Sequence, residues 1–248
     1  MKISVVIPAY NAAKTIRQTL ESCLQQSYPP HEIWIVDDCS TDNTTSVVKE
    51  YASVNLITLT KNAGPSACRN AGWGAATGDI IAFLDADDVW HPEKLDILNK
   101  VFGAHATLKF LGHPYTLKSF GEPIPEVSLV KQCYLSILIS NPFQSSCISV
   151  RRDIDELFDP SFRYCEDQEF ALRVAYKYGC FNMPVPLTKL GRPQLTEGGA
   201  SGNHWKMRKG ELKAYSAIWK SNPLFALAIP ALWLFSFAKH IRKQISHS

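Results

Sequence analysis

Apolar positions along the first hundred residues follow two rhythms. Short, largely apolar runs at 3–7, 32–37, 54–60 and 79–84 read as strands, the first of them buried, and between them apolar residues recur at helical spacing. Ile16, Leu20, Cys23 and Leu24 share one face of a helix over 13–26, which Asn11 is placed to cap. Further helices are expected over 44–51, through Arg69 and Ala75, and from Pro92 as a first helical residue, with Leu95, Leu98 and Phe102 inward. Strand and helix alternating through short loops predict an α/β fold, a Rossmann-like and mostly parallel sheet flanked by helices. Right-handed crossovers put the ligand crevice of such a sheet at the carboxyl ends of its strands. The polar loops at 38–43, 61–65 and 85–88 all leave strands at that end. The rhythm weakens over 111–142 and then resumes. A strand is expected over 143–150, a helix over 166–178 with Phe170, Leu172 and Val174 on its apolar face, and a Pro-interrupted strand over 181–190.

The last part of the chain differs in kind. Residues 201–220 read as a basic helix carrying Trp205, Tyr215 and Trp219, and 223–238 are almost wholly apolar before the cluster Lys239, Arg242 and Lys243. Sixteen apolar residues interrupted by Pro230 fall short of the roughly 20 that a spanning helix needs. An interfacial or re-entrant segment is predicted, with the basic cluster on anionic lipid; a helix packed on the body is the alternative. Charge divides at the same place. Residues 1–188 hold 16 Lys and Arg against 21 Asp and Glu, and 189–248 hold 10 against 2, so the overall +3 averages an acidic body and a basic tail. The reading is a domain over 1–200, with a ligand-binding half at 1–105 and a second half at 106–200, followed by a partly apolar helical extension over 201–248.

Composition narrows the class. With 46% hydrophobic and 20% charged residues, the 248-residue chain is too apolar for disorder. Its seven cysteines are scattered and never in a C-x-x-C pair, against both a disulfide framework and a zinc knuckle. The apolar run before Pro8 is too short for a signal peptide, so a cytoplasmic body is expected. No glycine precedes Gly64, so neither a dinucleotide fingerprint nor a P-loop follows the first strand. A nucleic-acid partner is not expected.

Three acidic clusters and two loops remain as candidate chemistry. The strand over 80–84 delivers Asp85, Asp87 and Asp88 to the ligand edge, where three close carboxylates repel one another unless a cation neutralises them. Mg²⁺ or Mn²⁺, held by one or two carboxylates and completed by substrate phosphates, suits such a loop; capping of the next helix is the other reading, above all for Asp88. Asp37 and Asp38 end the second strand, where they can accept from a base or ribose, or serve only as turn formers. Glu166 and Asp167 open a helix, either as stabilisers of its dipole or with Asp167 as a general base. Arg69 can reach a phosphate or steady an acidic loop. Gly198 to His204 forms a loop whose histidine is either a pyrophosphate contact or a surface residue.

Taken in order, Ser4-Val-Val-Ile-Pro-Ala-Tyr-Asn11, Val36-Asp-Asp-Cys-Ser-Thr-Asp42, Asn62-Ala-Gly-Pro-Ser-Ala-Cys-Arg-Asn70, Phe83-Leu-Asp-Ala-Asp-Asp88 and Glu166-Asp167 resemble the family 2 inverting glycosyltransferases. The resemblance implies the GT-A fold, a nucleotide-sugar donor, most simply a UDP-sugar, and a divalent metal. It places Pro8, Ala9 and Tyr10 in the nucleoside pocket, Asp38 at the base and Asp37 beside the ribose or base. Asp85, Ala86 and Asp87 become the D-x-D element, with Asp87 nearest the metal and Asp85 assisting. Asn62, Arg69 and His204 become donor contacts, and Asp167 becomes the catalytic base. It assigns 111–142 to the acceptor side. With the basic tail, it implies a glycan or lipid-linked acceptor in surface polysaccharide synthesis at the inner face of the cell membrane. Two competing readings stand beside it: a haloacid-dehalogenase-type phosphohydrolase using Asp85 and Asp87, and an inactive sugar-nucleotide binding module.

Overall fold

The computed structural model describes residues 1–121, 124, 127–140, 142–192, 204–221, 230 and 233–234. The first half follows the expected alternation: β1 (Ile3–Ala9), α1 (Ile16–Leu24), β2 (Glu32–Asp37), α2 (Thr44–Val48), β3 (Asn55–Thr58), α3 (Pro65–Ala75) and β4 (Ile80–Phe83). Then come β5 (Val89–Trp90), α4 (Lys94–Ala104), β6 (Phe110–Gly112), β7 (Tyr115–Thr116), β8 (Val130–Lys131) and α5 (Tyr134–Ser140). The remaining elements are β9 (Ile148–Arg151), α6 (Glu166–Tyr178), β10 (Phe181–Asn182), β11 (Thr188–Lys189) and α7 (His204–Ser221).

Among the described residues the main sheet runs β3-β2-β1-β4-β9-β6-β10-β8, and a small second sheet runs β5-β11-β7. The block β3-β2-β1-β4 is wholly parallel, while β9 lies antiparallel to both β4 and β6. Pro8 sits in central β1 without costing a ladder bond on the β4 side, because that pairing ends at Val6 opposite Phe83. Strands β1 and β4 have nearly every residue buried, as a sheet covered on both faces requires. One apolar cluster joins β1, α1, β2 and α4; the other joins Phe83, Phe110, Phe143, Phe158 and Phe170 beneath α6.

Several expectations change. The strand expected over 143–150 starts as a 3₁₀ turn at Ser145–Cys147, and only Ile148–Arg151 pair. Residues 181–190 split between two sheets, because Pro184 and Pro186 interrupt the ladder between β10 and β11. Helix α4 begins at Lys94, so Pro92 lies in the preceding turn rather than at a first helical position. Asn11 does not cap α1. It sits at φ 49°, and its side-chain oxygen accepts the N–H of Thr41 at 2.8 Å.

The basic helix is present as α7, and it packs on α6. Ala214 and Tyr215 are fully buried, Lys213 Nζ donates to the Ser161 carbonyl at 2.7 Å, and a Cβ on Gly210 would lie 2.7 Å from the Tyr164 carbonyl oxygen. The core therefore continues past residue 200. Trp205 is exposed, whereas Tyr215 is not available to a lipid surface. Tyr215→Ala is expected to cost about 3–5 kcal/mol in urea unfolding, as for a buried aromatic; a loss under about 0.5 kcal/mol would mean that α7 is only loosely attached. Among the described residues no helix is long and apolar enough to cross a membrane. The apolar run over 223–238 lies outside the described residues except for Pro230, Trp233 and Leu234.

Candidate active site

The carboxyl ends of β1, β2 and β4 bring Tyr10, Asp37, Asp38 and Asp85 to one edge, and the start of α6 adds Glu166 and Asp167. Ala9 is buried at the end of β1, Pro8 is partly buried, and the Tyr10 ring is left open to solvent, 53% exposed. Asp37 accepts the N–H of Ser40 through one carboxylate oxygen, while its Oδ1 is buried without a partner. A buried acceptor left unsatisfied costs about 1–3 kcal/mol, so Asp37 is set up to take a donor from a ligand. Asp38 is engaged differently. Its two oxygens accept the N–H of Ala63 at 2.6 Å and of Gly64 at 2.9 Å. Gly64, at φ 89°, allows the chain to turn around the carboxylate. Asn62 braces the same loop, donating to the Asp38 carbonyl and accepting from Arg163 Nη1. Its amide is thus committed to the protein at both ends.

Arg69 departs from the expected phosphate contact. It is 2% exposed, and its two terminal nitrogens donate to Asp85 Oδ1 at 2.6 Å and Glu166 Oε1 at 3.0 Å, with the guanidinium carbon 5.3 Å from the Phe158 ring centre. Burial works against its charge, but Asp85 and then Glu166 outweigh it, and its pKa is raised. Arg69 therefore ties the loop after β4 to the start of α6 from below. Of the two roles open from the sequence, steadying the acidic loops is the one observed.

The three acids after β4 have three environments. Asp85 donates its N–H to Ser146 Oγ and binds Arg69; burial raises its pKa against the pull of Arg69, with Asp87 and Glu166 adding to the rise. Asp88 is buried and does not cap α4. Its oxygens accept from Ser146 Oγ at 2.5 Å and the Gly191 N–H at 3.0 Å, and burial, then Asp85, pushes it up to about 7. Ser146 is a junction that sequence reasoning missed. Its carbonyl accepts from Trp90 Nε1, Lys94 Nζ and Thr188 Oγ1, so the 3₁₀ turn, α4 and β11 all hold the acidic loop. Asp87 remains at the surface of the loop, 26% exposed, with Arg192 on its Oδ2. Ala86 is buried between them.

Among the described residues no three His, Cys, Asp or Glu side chains converge tightly enough to hold a metal by themselves. Mg²⁺ and Mn²⁺ take one or two carboxylates and complete their shell with phosphates and water. The Asp87 carboxylate already holds one cation, the Arg192 guanidinium, so position and charge fit a divalent ion there.

Asp167 is partly buried at the second residue of α6, with its Oδ1 on the N–H of Gln168 at 2.7 Å. Burial first, then Glu166, pushes it up to about 7, near the value useful for a general base. A base must be ionised to act. The rate of the step it serves is therefore expected to fall about tenfold per unit as pH drops below about 7; a pH–kcat profile flat from 5 to 8 would contradict this role.

The non-glycine residues with positive φ among those described are Asn11, Cys39 and Cys165, which follow β1, follow β2 and precede α6. Such backbone costs roughly 1–2 kcal/mol per residue and concentrates where geometry matters more than stability. Cys165, at φ 58° just before Glu166, aims the start of α6. His204 begins α7, and its side chain lies outside the described residues.

The sequence profile described as Glycosyl transferase family 2 matches residues 4–156. An uncharacterized glycosyltransferase of Nostoc sp. is 42% identical over 46% of this chain, which spans 36% of that protein. A Bacillus subtilis protein, provisionally named the teichuronic acid biosynthesis glycosyltransferase TuaG, is 28% identical over 98% of this chain and 96% of its own length. Staphylococcus aureus TarS, named a poly(ribitol-phosphate) beta-N-acetylglucosaminyltransferase, is 31% identical over 70% of this chain, which spans 32% of that protein. A TarS crystal structure in complex with UDP-GlcNAc superposes with TM-score 0.69 at 25% identity, over 88% of this chain and 67% of that one. The expected GT-A fold holds, and the phosphohydrolase reading falls away. With a family profile spanning more than half of its length, this chain belongs to glycosyl transferase family 2.

Proposed function

We propose that the protein is a metal-dependent inverting glycosyltransferase. It moves a sugar from a nucleotide-sugar, most simply a UDP-sugar, to a hydroxyl of a glycan or lipid-linked acceptor in surface polysaccharide synthesis. The observation that carries this reading is the meeting of the Asp85–Asp88 loop with Glu166 and Asp167 at one sheet edge, joined through Arg69. Tyr10 offers an open ring on which a base can stack, and the orphaned Asp37 Oδ1 accepts from the base or ribose. Asp38, committed to Ala63 and Gly64, keeps a second lone pair on each oxygen and shapes the same pocket. Asp87, with Asp85 beside it, would hold Mg²⁺ or Mn²⁺, which would supply positive charge to the departing diphosphate. Asp167 takes the proton from the acceptor hydroxyl, which attacks the anomeric carbon on the face opposite the diphosphate. An inactive binding module would not need Asp167 to be a poised base.

One relative is provisionally named for teichuronic acid biosynthesis and another for N-acetylglucosaminyl transfer to poly(ribitol-phosphate), which supports a polymer acceptor of that class. The same acceptor class suits a cytoplasmic enzyme working at the inner face of the membrane, where the basic, apolar tail meets anionic lipid. Deleting 223–248 is expected to shift the protein from membrane to supernatant fractions; unchanged partitioning would count against the tail as an anchor.

The test of activity is incubation of the purified protein with Mn²⁺ and a panel of nucleotide sugars, read by mass spectrometry. Slow release of nucleoside diphosphate from one donor, abolished by EDTA, is the expected result. Turnover of none of the donors, with phosphate released from monoesters instead, would overturn the proposal.

A further inference from the structure

The two carboxylates of the D-x-D element each hold an arginine, but in opposite ways. Asp85 is bound to Arg69, which is 2% exposed and shared with Glu166. Asp87 is bound to Arg192, which is 45% exposed, through Nε at 2.9 Å and Nη2 at 2.6 Å, both on Oδ2. Removing one partner of a buried ion pair strands a charge out of water, whereas a half-exposed pair is screened by solvent and held weakly. The first pair is therefore fixed and the second exchangeable.

The backbone beside Arg192 is held against the acidic loop. The Gly191 N–H donates to Asp88 Oδ1 at 3.0 Å, and a Cβ on Gly191 would lie 1.9 Å from the Asp87 carbonyl oxygen, a space only glycine fits. Two residues earlier, Lys189 of β11 pairs with Val89 of β5, immediately after the loop. The Arg192 side chain can thus leave Asp87 by rotating its own long stem, and the anchored backbone keeps its guanidinium beside whatever binds there.

We infer that Arg192 is the exchangeable counter-cation of Asp87: it holds the carboxylate when no metal is bound, yields it to a divalent cation, and then pairs with the diphosphate that the cation brings. A guanidinium fork suits phosphate oxygens as well as it suits a carboxylate. The inference rests on Asp87 being the metal ligand, as proposed above.

The test separates the two roles by opposite signs. Mn²⁺ binding without nucleotide is measured by electron paramagnetic resonance, and UDP binding in saturating Mn²⁺ by calorimetry, for the full chain and for Arg192→Gln. The variant is expected to bind Mn²⁺ about twofold to fivefold more tightly, because the competing cation is gone. It is expected to bind UDP about tenfold more weakly, because a charge-assisted phosphate contact is lost. A residue that merely braces the loop would weaken Mn²⁺ instead. Unchanged or weaker Mn²⁺ binding, or unchanged UDP binding, overturns the inference. Asp87→Asn distinguishes this from failure of the underlying reading. If Asp87→Asn loses Mn²⁺ while Arg192→Gln changes nothing, only the role of Arg192 falls; if Asp87→Asn binds Mn²⁺ like the unaltered protein, both fall.

Discussion

Asp167→Asn is expected to lower kcat by about 10²–10⁴-fold and to leave the Kd for UDP in the presence of Mn²⁺ within about twofold. The split follows from position. Asp167 lies at the start of α6, where its hydrogen-bond partner is the Gln168 N–H rather than Asp37 or Asp87, and its carboxylate is needed only when the acceptor proton moves. Asparagine keeps the size and the acceptor for the Gln168 N–H, so the start of α6 stays in place. Stopped-assay kcat and calorimetric UDP binding on the same preparation make the comparison. A variant that loses donor affinity as much as turnover would mean that Asp167 belongs to the donor pocket.

Arg69→Met is expected to destabilise the protein by about 3–5 kcal/mol, the range for breaking a buried pair from one side. Methionine fills much of the volume over Phe158 but strands Asp85 and Glu166 without their shared cation. Urea unfolding measures the loss, with Arg192→Met as the control. The exposed Arg192 pair should contribute about 1 kcal/mol or less. Similar losses in both variants would contradict the distinction between a fixed and an exchangeable arginine.

The parallel half of the sheet was legible because burial on both faces leaves β1 and β4 as largely apolar runs, and the helices between the strands carry a 3.6-residue period. Beyond residue 105 the helical period still marked α6 over 166–178, but the strand signal failed for physical reasons. Strands β6, β7, β8, β10 and β11 are two or three residues long, too short for any periodicity. The turn at Ser145–Cys147 is fully buried and so resembled a strand. The acidic clusters were legible as a site, since carboxylates at strand ends are conspicuous. What each does was not, because that depends on partners distant in the chain. Arg69 meets Glu166 across 97 positions, Ser146 meets Asp88 across 58, and Arg192 meets Asp87 across 105. No local pattern marked Arg192, and Asp88 looked like a helix cap until its buried contacts were seen. Glycine at 191 was similarly silent; its reason is the Asp87 carbonyl pressed against it.

The central claim is that the edge formed by Asp37, Asp85 and Asp87 binds a nucleotide-sugar through a divalent metal. Calorimetric titration of UDP into the protein and into Asp87→Asn, each with Mn²⁺ and with EDTA, tests it most directly. Strong binding is predicted only for the unaltered protein with Mn²⁺, with the other three combinations weaker by about tenfold or more. Equal UDP affinity in all four would contradict the account.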